Sequence, residues 1–97
     1  MLSSAARRIG EVVAVAEAPA RYETLRHLLR VSEETMTEVL EEAVAAGLVK
    51  RADTPFTYEP GDPQIGVEIA AGIDGQRTER MRAQIARAAR DILEDSP

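Results

Sequence analysis

Apolar residues in the first half of the chain recur every three or four positions, the spacing of one face of an α-helix. The pattern predicts three successive helices, over residues 4–17, 22–30 and 33–46. Serines precede the first and third at N-cap positions, Pro19 follows the first, and Gly47 follows the third as a stop. The residues expected to face the core are Ile9, Val12, Val13 and Ala16 in the first helix, Tyr22, Leu25, Leu28 and Leu29 in the second, and Met36, Val39, Leu40, Ala43 and Val44 in the third.

The pattern changes to alternation after Gly47. Residues 48–52 and 56–59 are short alternating runs, and Asp53-Thr54-Pro55 between them has the composition of a turn. Such a pair of runs predicts a small β-hairpin. Phe56 and Tyr58 are two residues apart, so on an extended strand they would share a face.

Helical spacing returns in the last third of the chain. A fourth helix is predicted after Asp62, with isoleucines at every fourth position, although two glycines weaken it. A fifth is predicted over residues 76–93. The residues between them, Gly72-Ile73-Asp74-Gly75, lack the basic centre of a nucleic-acid-clamping GXXG loop and are interpreted as a turn. The apolar positions are Ile65, Ile69 and Ile73 in the fourth helix, and Met81, Ile85, Ala88 and Ile92 in the fifth.

The order of these elements predicts a mainly α fold with a small β-hairpin. Three helices followed by a hairpin are typical of a winged helix-turn-helix, in which the hairpin is the wing. The second and third helices are separated only by Arg30-Val31-Ser32, which forces a sharp angle between them. We therefore expect one winged-helix-like domain, with the helix-turn-helix and wing in residues 1–62 and an extra helical pair in residues 63–97.

Composition places the chain in a soluble, cytoplasmic class. Its 97 residues include no cysteine, which excludes disulfides and thiolate metal sites. No apolar run approaches the roughly 20 residues of a membrane span, and the N-terminus does not resemble a signal peptide. The length suits a single core, and no linker divides the chain.

Negative charge is concentrated on the predicted third helix. Residues 32–47 contain five glutamates and no basic residue, in a chain whose formal net charge is −5. A helix that reads the major groove needs a basic or amide-rich solvent face, and the hairpin supplies only Lys50 and Arg51. We therefore expect weak or absent DNA binding. The arginines of the fifth helix form either a solvated face or a partner-binding one. The candidate partner contacts are Glu34, Thr37, Glu38, Glu41, Arg80 and Arg87.

Four segments together resemble a known family. They are Leu40–Val49 with its Ala-Gly-Leu turn, Phe56-Thr57-Tyr58, Pro63-Gln64-Ile65, and the basic amphipathic stretch Arg77–Ala89. The chain from about residue 2 to 93 is similar to the winged-helix segment of LuxR/MalT-like bacterial transcriptional regulators, which are built on a signal-transduction ATPase of the AAA/STAND type. The resemblance implies a regulatory, protein-contacting winged helix, with the ATPase and the DNA reader in other domains. Residues flanking Pro63-Gln64-Ile65 depart from that family's pattern.

Nothing in the sequence indicates catalysis, a cofactor or a small-molecule substrate. Lys50 is the only lysine, and it follows an apolar strand rather than the glycine loop of a nucleotide-binding motif. His27 is the only histidine, interpreted as solvated or as part of a cap, and no calcium-type acidic loop is present. The glutamates of the third helix are interpreted as a solvated face rather than as paired catalytic carboxylates.

Two hypotheses about function follow. The leading one is a non-enzymatic winged-helix regulatory module that acts by protein–protein or interdomain contact, with a second copy as one potential partner. The alternative is a small dimeric winged-helix transcription factor whose DNA contacts would include Thr37, Lys50 and Arg51.

Overall fold

The computed structural model describes residues 2–16 and 19–95, and within them the chain is mainly helical with a small antiparallel sheet. This confirms the predicted class at that level. The end of the first predicted helix, at Glu17, lies outside the described residues. The elements are α1 (Ser4–Val15), β1 (Ala20–Arg21), α2 (Tyr22–Leu29), α3 (Glu33–Ala45), β2 (Val49–Arg51), β3 (Thr57–Pro60), α4 (Pro63–Ala71) and α5 (Gly75–Asp95).

Helix α1 is the centre of the fold. It packs against the other four helices and against β2 and β3. Its N-terminus is capped by Ser3, whose hydroxyl accepts a hydrogen bond from the Ala6 amide at 3.2 Å. Most of the helix surface is covered, with Ile9 fully buried, whereas Ser4, Arg7 and Arg8 form one exposed stripe. That stripe is therefore the only part of α1 that is fully open to a ligand or partner in the described structure.

A tight connection sets the angle between α2 and α3. Arg30 adopts a left-handed conformation (φ 56°) that closes α2, and Ser32 caps α3 by accepting from the Thr35 amide. The predicted inner stripe of α3 is buried at Met36, Val39, Leu40 and Ala43. The prediction was wrong for Val44, which is 44% exposed. Val44 lies in the last turn of α3, beside an open groove that none of the described elements fills.

The sheet contains a strand that the sequence pattern does not predict. The two residues of β1 pair with β3, Ala20 opposite Tyr58 and Arg21 opposite Thr57, which gives the strand order β1-β3-β2. The predicted hairpin is confirmed as β2 paired antiparallel with β3. Phe56, however, precedes β3 in a left-handed conformation (φ 60°), which breaks the extended alternation. Phe56 is consequently exposed and lies outside the strand, while Tyr58 is buried, although both side chains line the same groove between α3 and the hairpin.

The C-terminal pair α4 and α5 covers two sides of α1. Asp62 caps α4, and Asp74 accepts from the Arg77 amide at 2.8 Å at the start of α5. Helix α4 ends before Ile73, which is instead buried in the turn between the helices. Helix α5 also packs on α2, where His27 Nε2 lies 3.5 Å from Asp91 Oδ2, both side chains being about half exposed. Within the described residues, none of the helices has the length and apolarity needed to cross a bilayer.

Candidate functional site

An apolar groove of about 630 Å³ runs between α3 and the β2–β3 hairpin. Its floor is formed by Leu40 and Tyr58, and its walls include the exposed side chains of Val44 and Phe56. Charged and polar residues of α3 and β2 line the rim. This α3–hairpin groove is lined by Tyr22, Glu33, Thr37, Leu40, Glu41, Val44, Ala45, Arg51, Phe56 and Tyr58.

Phe56 is held in the groove wall by backbone contacts on both sides. Its carbonyl accepts a hydrogen bond from the Tyr22 amide at 2.8 Å, and the Ala52 amide donates to the Thr57 carbonyl at 3.0 Å. A positive φ is unfavourable for a bulky aromatic residue, and burial of the ring offers no compensation because the residue is 79% exposed. Strained backbone of this kind is concentrated at functional sites. The hairpin thus presents an aromatic side chain to solvent at a cost in stability.

The acidic face of α3 lies beside the groove. Glu34, Glu38 and Glu41 are exposed, follow an i, i+4, i+7 spacing, and make no ion pair within the described residues. We call these three residues the acidic stripe. Like charges four positions apart destabilise a helix, and carboxylates near its C-terminus oppose the helix dipole. Glu34 lies in the first turn of α3, where the helix dipole favours a carboxylate. Glu38 and Glu41 gain no such stabilisation in the isolated chain.

The structure separates the three residues proposed to contact DNA. Thr37 and Arg51 both line the α3–hairpin groove. Lys50 does not line it, since successive strand residues point to opposite faces, and its Nζ lies 3.7 Å from Glu59 Oε1 across the hairpin. The Thr37 hydroxyl donates to the Glu33 carbonyl at 2.9 Å and so is already engaged within α3. Only Arg51 offers a cation in the groove that is not ion-paired within the described part of the chain.

Of the α5 residues proposed as partner contacts, Arg80 belongs to a second groove. This groove lies between α1 and α5, and Arg8, Glu11 and Arg77 line it together with Arg80. Arg87 is exposed two turns further along the same α5 stripe and does not line this groove. No ion pair joins the acidic stripe to the α5 arginines within residues 2–16 and 19–92. The six predicted partner contacts therefore form two surfaces, one on α3 and one on α5.

Sequence reasoning missed four residues that the structure brings into these surfaces. They are Val44 and Phe56 in the α3–hairpin groove, and Arg7 and Arg8 on the exposed stripe of α1. The helical spacing of Arg7, Arg8 and Glu11 identifies a solvent-facing stripe, but their position beside Arg77 and Arg80 depends on how α5 packs. No group of three or more His, Asp or Glu side chains suited to a metal ion occurs among the described residues.

Comparisons of the chain with protein-family models, with curated proteins and with solved structures find no match. What the chain does is therefore inferred from its own residues and their geometry.

Proposed function

We propose that this chain is a non-enzymatic winged-helix regulatory module that acts by protein–protein or interdomain contact through the α3–hairpin groove. The element order supports the fold assignment. Helices α2 and α3 are joined by a tight turn, as in a helix-turn-helix, and the β2–β3 hairpin that follows occupies the place of a wing.

The exposed Phe56 ring is the observation that carries the proposal. Aromatic residues are enriched at the centres of protein interfaces and supply much of their binding energy. Phe56 stands beside exposed Val44 in a groove whose floor is apolar and whose rim is charged. An apolar centre surrounded by polar residues is the usual arrangement of a protein-binding surface.

Electrostatics favour a protein over DNA at this face. Binding to a duplex gains most of its affinity from cations that neutralise phosphates. Here the solvent face of α3 carries the acidic stripe and Lys50 is paired with Glu59. Arg51 is the one cation in the groove among the residues that the structure describes. The charge that phosphates would meet is therefore predominantly repulsive.

The regulatory part of the proposal rests on the resemblance to the winged-helix segment of LuxR/MalT-like regulators. In such a protein the module would connect a signal-transduction ATPase to the rest of the regulator in the cytoplasm. The groove would bind a neighbouring domain or a partner protein, and the DNA reader would be elsewhere. In the alternative, a dimeric DNA-binding transcription factor, Thr37 and Arg51 would contact DNA and the acidic stripe would have no role.

Titration of a fluorescently labelled duplex distinguishes the two functions. In 0.15 M NaCl we expect no half-saturation below about 100 µM, because few phosphates can be neutralised. Fluorescence anisotropy at 0.05, 0.15 and 0.3 M NaCl measures both the affinity and its salt dependence. Half-saturation below 1 µM with a steep salt slope would support the transcription factor instead.

A further inference from the structure

Four arginines converge where the exposed stripe of α1 meets the start of α5. A groove of about 760 Å³ is lined by Arg7, Arg8 and Arg77, and a neighbouring one of about 260 Å³ by Arg8, Arg77 and Arg80. Glu11 lines both, and among the described residues it is the only carboxylate that does. We call this combined surface the arginine groove.

Most of the positive charge of the arginine groove is uncompensated. Arg77 Nη2 lies 3.1 Å from Glu11 Oε1, which pairs these two residues. Arg7, Arg8 and Arg80 are exposed and form no ion pair with any described residue. The walls also include partly buried apolar side chains, Leu2, Leu29 and Ile69 among them. Such a groove suits an acidic surface with apolar residues beside it.

The same chain carries a surface of that description. The acidic stripe of α3 has three unpaired carboxylates, matching the three unpaired arginines in number. Exposed Val44 and Phe56 stand next to it in the α3–hairpin groove. Since no described ion pair links the stripe to the arginine groove within one copy, both remain available to a second copy.

We propose that the arginine groove of one copy binds the acidic stripe of another copy. This names the partner for the α3 face and so rests on the function proposed above. The two surfaces differ, so the contact is heterologous: one copy donates its α3 face and the other its α1–α5 face. Complementary charge fixes the orientation of such a contact, and salt weakens it.

Light scattering on the purified chain, behind a sizing column, tests the contact. At about 200 µM in 10 mM NaCl the mass should exceed the monomer's 10.6 kDa, and in 1 M NaCl it should return to that value. The reason is that the screening length falls from about 30 Å to about 3 Å between these salt concentrations.

Two neutralised variants identify the surfaces. E34Q/E38Q/E41Q lacks the acidic stripe, and R7Q/R8Q/R80Q lacks the unpaired arginines. Each alone should associate at least about tenfold more weakly than the unchanged chain, since one side of every contact is lost. Mixed in equal amounts they should form a complex of two chains, because each variant retains the surface that the other lacks. Far-UV circular dichroism checks that both remain folded.

A matched control changes three exposed arginines outside the groove. R30Q/R82Q/R90Q should associate like the unchanged chain, and association that is lost in this control would overturn the proposal. It would also be overturned by a monomer at every concentration in 10 mM NaCl, or by failure of the two Gln variants to pair.

If the monomeric chain instead bound duplex DNA through Arg7, Arg8 and Arg80, the proposal would be overturned and the arginine groove would be a phosphate-binding surface. A monomer that still contacts another protein through Phe56 would refute the second copy as the partner but would leave the proposed function intact.

Discussion

Replacing Gly61 by alanine is expected to destabilise the fold by about 3 kcal/mol or more, which lowers Tm by at least about 12 °C in a domain of this size. A Cβ at this position would overlap the carbonyl oxygen of Gly47 and lie 2.9 Å from its carbonyl carbon. Neither backbone can move easily. Gly47 closes α3 in a left-handed conformation (φ 78°), and the Gly61 amide donates to the Leu48 carbonyl at 3.1 Å. The substitution must therefore separate the end of β3 from the end of α3.

Gly75→Ala is the matched control for this prediction. An added Cβ at Gly75 meets no atom within 4 Å, and the residue begins α5, where alanine is the better helix former. The expected change is a gain of up to about 1 kcal/mol. Thermal and urea unfolding, followed by circular dichroism, measure both variants. Equal stability of Gly61→Ala and the unchanged chain would contradict the packing of the hairpin against α3.

Changing the acidic stripe to lysine, in E34K/E38K/E41K, is expected to produce a duplex-binding protein. The three substitutions, each worth two charges, raise the formal net charge from −5 to +1. The three residues are exposed, so the core is unaffected. If the α3 face has the position of a DNA-reading helix, duplex affinity in 0.05 M NaCl should rise at least about 100-fold, and three new phosphate contacts should steepen the logarithmic salt slope by about 3.

The variant E23K/E68K/E79K separates the effect of where the lysines lie on the fold from the effect of net charge. It has the same formal charge but places the lysines on α2, α4 and α5, at exposed sites. Its affinity for the same duplex should rise less than about tenfold. An equal gain in both variants would show a general charge effect, and no gain in E34K/E38K/E41K would contradict the helix-turn-helix placement of α3.

The helices could be predicted from the sequence because their apolar residues recur at helical spacing, although in α4 the isoleucines are only partly buried. The caps at Ser3 and Ser32 and the stop at Gly47 are also local features, and all three occur in the structure. Strand β1 could not be predicted in this way. It has two residues and no pattern of its own, and it exists only because β3 offers hydrogen-bonding partners.

The candidate surfaces also differ in how far the sequence predicts them, because one depends on a local pattern and the others on tertiary packing. The acidic stripe follows from the spacing of exposed positions on one helix. The arginine groove requires residues about 70 positions apart, Arg7 and Arg77 for example, to meet through the packing of α5 on α1. Phe56 fits an alternating strand pattern, and its left-handed backbone is set by the pairing of β1 with β3 rather than by its neighbours in sequence.

Photo-crosslinking at position 56 tests most directly whether the α3–hairpin face binds protein. Phe56 is replaced by benzoylphenylalanine, which keeps an aromatic side chain at this exposed site, and cells that make the protein are irradiated. The same replacement of exposed Gln64 on α4 is the control. We predict an adduct at position 56, absent at 64, whose added mass survives nuclease and whose tryptic digest contains a peptide joined to the one that carries residue 56. An adduct at position 56 whose added mass is removed by nuclease would contradict the proposed function and place this face on nucleic acid.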